Sequence, residues 1–353
     1  MEDLRITLDT KPGASLHASI LRPAGDDHKG NPLSNTLIVF LNGLALPSAG
    51  WSGVIERLIA LHKEHGQPVP TLFSYDRYGQ GKSDPDPSDK ESDLPYGHDA
   101  RSVVADLHQL LTQVVQSELS HRPQNDGGEQ EADLRLVLVC NSIGCPLARL
   151  FAAEQHSRRQ KQQPSFHIAA YLFLDSMIAN TDFVSLFPDP DSEDFGNETD
   201  LPSGVTLTDL RHARAQFRRF FHPTVPNQER FDRRGMRQLL PDADQPPLPS
   251  YAGAGGESLP PLLTVVGHDW DEFARQSEQP PFTVSSAITN SYMNTAWGAY
   301  NEGLTRLVPV TSQGSPQEVK IAKGCGHFVQ KDDPGFVAAE INGILDALVS
   351  RGQ

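Results

Sequence analysis

In the stretch Arg135 to Phe151, RLVLVCNSIGCPLARLF, one hydroxyl stands where chemistry can happen. The run Leu136-Val137-Leu138-Val139 is apolar at every residue, the pattern of a strand buried on both faces. Ile143, Leu147, Leu150 and Phe151 then recur at roughly helical spacing. Ser142 falls in the corner between the two patterns. A serine on such a strand–turn–helix corner, in the pattern G-x-S-x-G, holds its Oγ exposed as a nucleophile. Here the corner reads Cys140-Asn141-Ser142-Ile143-Gly144, with a cysteine in the first glycine's place. An alcohol is a poor nucleophile until a base takes its proton, so a serine enzyme needs further partners elsewhere in the chain. The backbone N–H of Ile143, directly after the serine, can hold a developing negative charge. A plainer reading, a serine that caps the helix it precedes, also fits these residues.

The rest of the composition narrows the class. The chain has 353 residues, enough for one large domain or two small ones. Its formal net charge of −15 argues against nucleic acid and anionic membrane surfaces as partners, because phosphate binding needs a basic field. A small-molecule substrate is the expected partner. No run of eighteen apolar residues occurs, so no membrane span is expected. The acidic, strand-like start MEDLRITLDTKPG does not read as a secretory signal. Cys140, Cys145 and Cys325 make neither a CxxC pair nor a disulfide framework, and a reducing, cytoplasmic setting is the expectation. No metal cluster and no dinucleotide-binding glycine pattern appears, so no cofactor and no metal is implied.

The elements that must position Ser142 follow from the hydrophobic pattern. LRITLDT and SLHASILRP read as two strands joined by a turn, and NTLIVFLNG as a strongly apolar third. WSGVIERLIALHKEHG reads as an amphipathic helix ending at Gly66, and PTLFSYD as the next strand. DARSVVADLHQLLTQVVQSEL is a helix with Val103, Val104, Leu107, Leu110 and Leu111 on one side, and SHRPQNDGGEQEAD a polar surface loop. FHIAAYLFLDS is the strand after the serine's own helix. Strands alternating with helices predict a mostly parallel sheet with helices on both faces. The rhythm stops near Met177 and returns with PPLLTVVGHD, SYMNTAWGAYNEGLTRLV, QEVKIAKGCGH and PGFVAAEINGILDALVS. The expected organisation is a core over 1–176, an insertion over 177–259 after the sixth strand, and the core resumed over 260–353.

Four pieces, in this order, carry a family likeness. They are LIVFLNGLALPSAGW, YDRYGQGKSD, CNSIG and GCGHFVQKDDP. Together, on this strand–helix rhythm, the chain resembles the α/β-hydrolase superfamily, in its lid-bearing serine hydrolase branch. The first piece resembles the family's His-Gly turn, with Asn42 in the histidine's place. The second resembles an Asp-x-x-Gly-x-Gly-x-Ser loop, the third the nucleophile corner, and the fourth a Gly-His turn before the last helix. The resemblance implies Ser142 as nucleophile and His327 as the base that returns the proton to the leaving group. It places the second oxyanion donor at Leu44, beside Ile143. Cys325 reads as a small packing residue and not as a second nucleophile.

A carboxylate must fix the imidazole's tautomer and stabilise its charge. Asp269 follows the strand LLTVVGH, where the family usually carries its acid, and is the first expectation. The spacing after Gly267 is off by one, and Asp269 also reads as a helix N-cap. Asp175, ending the preceding strand, is the alternative, and Asp271 the third. For the substrate the expected contacts are Asn42, Gly43, Asn141, Phe217 and Phe221. Asn42 reads equally well as a turn residue. Leu207, Leu210, Phe217, Phe220, Phe221 and Phe231 either roof a pocket or pack the insertion on the core. Eight arginines between Arg211 and Arg237 read as a solvated face. YDRYGQGKSD reads as structural.

The resulting expectation is a serine hydrolase acting on an ester or lactone of a small to medium apolar substrate. Alternatives are a lyase, acyltransferase or cyclase on the same fold, or a non-catalytic ligand receptor. Epoxide hydrolysis and dehalogenation are disfavoured, since those relatives carry a carboxylate where Ser142 stands.

Overall fold

Within the strand Thr36–Leu41 every residue is buried, and the side chains part by the pleat. Leu37, Val39 and Leu41 join one apolar cluster, while Ile38 and Phe40 join another. The strand Leu134–Asn141 divides in the same way, with Leu136, Leu138 and Cys140 on one side and Val137 and Val139 on the other. A sheet with two buried faces must be covered twice. The computed structural model, which describes residues 1–23, 31–91, 96–120, 134–159, 166–196, 198, 201–253, 256–309 and 317–351, shows how.

The sheet has eight strands. Numbered along the chain they are β1 (Glu2–Thr7), β2 (Ser15–Leu21), β3 (Thr36–Leu41), β4 (Thr71–Tyr75), β5 (Leu134–Asn141), β6 (Phe166–Leu174), β7 (Leu262–His268) and β8 (Lys320–Ala322). Their spatial order is β1-β2-β4-β3-β5-β6-β7-β8, and only β2 runs against its neighbours. This is an α/β-hydrolase fold: a mostly parallel sheet flanked by helices. The helices α1 (Ser52–Glu64) and α7 (Pro334–Ser350) cover one face. On the other lie α2 (Ala100–Ser120) and α3 (Gly144–Arg159). The turn expected at Gly66 is there, with φ +64. The polar loop expected over 120–133 lies, apart from Ser120, outside the described residues.

Between β6 and β7 the chain runs for most of its length without regular structure. Its long helix is α4 (Leu207–Phe220), whose N-cap Thr206 and Asp209 form a reciprocal capping box. Phe231–Asp232 pairs with His98–Asp99 as a short ladder, tying this segment to the core. Between β7 and β8 come α5 (Trp270–Ser277), a short turn Ser286–Ile288, a π-helical turn Thr289–Asn294 and α6 (Thr295–Thr305). Among the described residues no helix is long and apolar enough to cross a membrane.

Parallel strands end on one edge, and register decides which ends meet there. Leu41 is level with Cys140, so the Asn42-Gly43-Leu44 turn leaves the sheet beside Asn141 and Ser142. Leu174 is level with Val266, so Asp175 leaves beside Gly267 and His268.

Candidate active site

The corner after β5 is strained in a specific way. Ser142 has φ +53, a region that a residue with a Cβ enters only when its surroundings compel it. Its own N–H donates to the Leu174 carbonyl at 3.2 Å, and the Met177 N–H donates to the Ser142 carbonyl at 3.1 Å. Both bonds come from the end of β6. Gly144 is required sterically, because a Cβ there would stand 2.5 Å from the Leu41 carbonyl oxygen. Cys140 meets no such limit and packs, fully buried, into the core.

Ser142 Oγ lies 2.9 Å from His327 Nε2. His327 follows β8 in a bend held from several sides. The Gly326 N–H donates to Asp332 at 2.8 Å, and Asn141 Nδ2 donates to the His327 carbonyl at 3.2 Å. On the far side of the ring, Nδ1 lies 2.6 Å from Asp175 Oδ2. Asp175 is fully buried, with φ +43. Burial opposes its ionisation, but the charge of His268 and the hydrogen bonds from His268 and His327 outweigh that and hold the carboxyl at about 2.

This corrects the first expectation for the carboxylate. Asp269 makes no hydrogen bond to His327 and caps α5, accepting from the Asp271 N–H at 3.1 Å, while its other oxygen accepts from the Gly324 N–H at 3.1 Å. Asp271 is exposed in the first turn of α5. The physical reason is backbone direction: the left-handed turn at Asp175 swings its side chain inward, whereas Asp269 is extended, with φ −74 and ψ 120.

Two of the expected substrate contacts also have other work. Asn141 is fully buried and does not line the cavity; besides His327 it bonds the Leu174 carbonyl at 3.0 Å and accepts from Gln330 at 3.1 Å. Asn42 is spent on the Tyr75 carbonyl (2.7 Å), Gln80 (2.8 Å) and the Trp51 indole (2.8 Å). Gly43 lies against Asn141 and Ser142, where an added Cβ would meet them at 3.0 and 3.4 Å. Leu44, Phe217 and Phe221 do line the cavity.

Residues that sequence reasoning passed over hold the turn in place. Arg77 donates to the carbonyls of Asn42 and Gly43 at 2.7 and 2.8 Å, and pairs with Glu229 at 2.9 Å. Gln80 bonds both the Gly43 carbonyl and Glu229. Glu229 in turn accepts the Ala45 N–H. Arg77 and Glu229 are 4% and 1% exposed, so this is a buried ion pair with its hydrogen bonds filled. The backbone N–H groups of Leu44 and Ile143 donate to no protein acceptor among the described residues. The YDRYGQGKSD signal thus has a positional use, and the carboxylate that completes it is remote in sequence.

Ser142 and His327 open into a cavity of about 260 Å³. Its walls are largely aromatic: Phe183, Phe217, Phe220 and Phe221 come from the segment after β6, and Phe273, Phe282 and Trp297 from the segment after β7. Its polar lining includes Arg233, Gln276 and Ser277. Two larger hollows, about 330 Å³ beside Arg214 and about 610 Å³ along the outer side of β7, include neither Ser142 nor His327. Among the described residues no group of His, Cys, Asp or Glu is arranged to hold a metal ion. Burial pushes the Cys325 thiol up to about 11, which keeps it from acting as a thiolate.

The arrangement can move a proton from an alcohol to an imidazole backed by a carboxylate, at the mouth of an apolar cavity. Comparison with known proteins agrees in fold. The sequence profile described as "Alpha/beta hydrolase family" matches residues 38–340. An Agrobacterium vitis S4 protein assigned as a hydrolase is similar at TM-score 0.50 and 13% identity, over 97% of this chain and 98% of its own. Est1E from Butyrivibrio proteoclasticus, solved with ferulic acid bound, is similar at TM-score 0.50 and 13% identity, over 98% and 99%. At that identity the likeness speaks for the fold alone. No curated relative matches the chain.

Proposed function

The chain belongs to the alpha/beta hydrolase family, and on that footing we propose that it is a serine hydrolase cleaving a carboxylic ester or lactone of a small to medium apolar substrate. The observation that carries this reading is the continuous contact from Ser142 Oγ through His327 to Asp175, at 2.9 and 2.6 Å, opening on an aromatic cavity. In the proposed reaction Ser142 attacks the carbonyl carbon while His327 Nε2 takes its proton. The N–H groups of Leu44 and Ile143 receive the oxyanion. His327 then gives the proton to the departing alkoxide, leaving an acyl group on Ser142. Water, deprotonated by the same imidazole, attacks that acyl group, and Ser142 leaves with the proton restored. Asp175 keeps the imidazole in the required tautomer and offsets its transient charge. We take the segment over 177–259 as a lid, and Phe217 and Phe221 as its contribution to acyl or alcohol binding.

The test is a panel of p-nitrophenyl esters of increasing acyl length, together with lactones, assayed with the purified protein and with Ser142→Ala as the blank. Turnover confined to the wild-type protein supports the reading. Product formation that survives in the alanine variant, or no turnover with any member while a fluorophosphonate leaves Ser142 unlabelled, overturns it.

A further inference from the structure

His268 ends β7, one residue before Asp269, and the proposed reaction makes no use of it. Its Nδ1 lies 2.8 Å from Asp175 Oδ1, the carboxylate oxygen not taken by His327, and its Nε2 lies 3.0 Å from Asn294 Oδ1. The direction of the Asn294 amide is fixed from outside. Its Nδ2 donates at 3.0 Å to the Trp270 carbonyl, an atom that can only accept, so the oxygen must be the end facing the imidazole. An ionised carboxylate is likewise acceptor-only. Both nitrogens of His268 therefore meet acceptors. A neutral ring has one N–H and would turn a lone pair on one of them, at a position 1% exposed where an unmade hydrogen bond is not replaced by solvent. A doubly protonated ring satisfies both.

The surroundings favour that charge. The Phe273 ring stacks on His268 at 4.3 Å between centroids, and an aromatic face attracts a cation. Trp297 meets it edge-on at 5.4 Å. Asp175 faces it from the end of β6, Asp269 follows it in the chain, and His327 stands across Asp175. Asp271 and Glu272 open α5, Glu302 lies on α6, and Lys323 after β8 is held 3.7 Å from Asp269. Burial works against the charge, but Asp175 and the two hydrogen bonds raise the His268 pKa above its ordinary value.

We propose that His268 is an imidazolium throughout the neutral pH range, a positioning residue that grips Asp175 from the side opposite His327. The inference rests on the hydrolase reading only for its catalytic consequence. With His268 charged, Asp175 and His268 together are neutral, and a proton arriving on His327 meets a like charge beyond the carboxylate. The same grip leaves Asp175 no freedom to rotate away.

Full-length protein with 15N-labelled histidines tests the charge directly. His268 is expected to show both ring nitrogens protonated from about pH 6 to about pH 8, where an unperturbed imidazole (pKa ≈ 6.5) loses its charge. One unprotonated nitrogen on that ring at neutral pH overturns the proposal. The consequence is read from the rate of fluorophosphonate labelling of Ser142 against pH. His268→Asn, whose amide nitrogen takes the place of Nδ1 and keeps a donor toward Asp175 without the charge, is expected to move the acid limb of that profile upward by about one unit. Asn294→Leu, which removes the acceptor of the second N–H, should move it the same way. An acid limb that stays in place in both variants overturns the catalytic role. The resonances require no turnover, so a wild-type protein whose Ser142 ignores the fluorophosphonate would refute the hydrolase reading and leave the charge on His268 to be decided by the spectrum.

Discussion

Ser142, His327 and Asp175 each reach the site through a backbone feature as well as a side chain: a left-handed φ at the serine and the aspartate, and a braced bend at the histidine. If they act as a unit, Ser142→Ala and His327→Ala should each lower kcat by roughly 10⁴-fold or more, and the double variant should be little worse than either. Losses that multiply would show that the histidine is not the serine's base. Asp175→Asn should keep the fold and lose about 10⁴-fold, because the amide favours the wrong tautomer, while Asp269→Asn should cost less than about tenfold in kcat. The reverse order would return the acid to β7. Ser142 and its glycine were legible because the corner's sterics are local: the Gly144 position is closed to any Cβ by the strand it follows. The choice between Asp175 and Asp269 was not, because it depends on φ at one residue and on how β6 and β7 pair. Asn42, which reads equally well as a turn residue, and Asn141 were open for a related reason. A polar side chain beside a nucleophile looks like a substrate contact until its partners across the sheet are known, and here those partners are Tyr75, Trp51, Leu174 and His327.

Among the elements, the turn after β3 depends most on distant support. Arg77 and Glu229 hold it through its carbonyls and the Ala45 N–H, so Glu229→Gln should loosen the Leu44 N–H proposed to receive the oxyanion without touching Ser142. The expected result is a fall of about 10²-fold in kcat with KM changed by no more than a few-fold. Equal damage to KM would mean that Glu229 shapes the cavity instead. Phe217→Ala should do the opposite, weakening KM for long acyl chains and sparing kcat for acetate esters, as expected for a wall residue. The strand–helix alternation of the core could be read along the chain because each element carries its own period. The cavity walls could not. The amphipathic pattern of α4 pointed to Phe217 and Phe221, but nothing in the sequence said that Phe273, Phe282 and Trp297, from beyond β7, would close the other side.

For the molecule as a whole, the buried carboxylate ties folding to pH. Asp175 is depressed to about 2 in the folded state, below its unfolded value. Its contribution, on the order of 2 kcal/mol, is therefore fully present above about pH 4 and is lost as pH falls toward 2. His268 is shifted the other way, so its contribution is present below its unfolded pKa and disappears as pH rises through the raised folded value. Thermal unfolding midpoints across the pH range should fall at both ends in the wild type, and Asp175→Asn should flatten the acid side; an unchanged acid slope would place the linkage in other groups. The origin of Asp175 at the end of β6 also bears on how this protein can diverge. The proposed nucleophile, base and acid all lie outside the segment over 177–259, so chimaeras that exchange this segment between homologues keep all three. Glu229, inside it, is tied to a charged residue outside. A transplanted segment that brings new aromatic walls but no carboxylate at the place of Glu229 leaves Arg77 without its buried counter-charge against the Asn42-Gly43 turn. Viable recombinants should therefore inherit those two residues together or lose them together, and a library of such chimaeras sorted for folding would reveal the linkage without an activity assay.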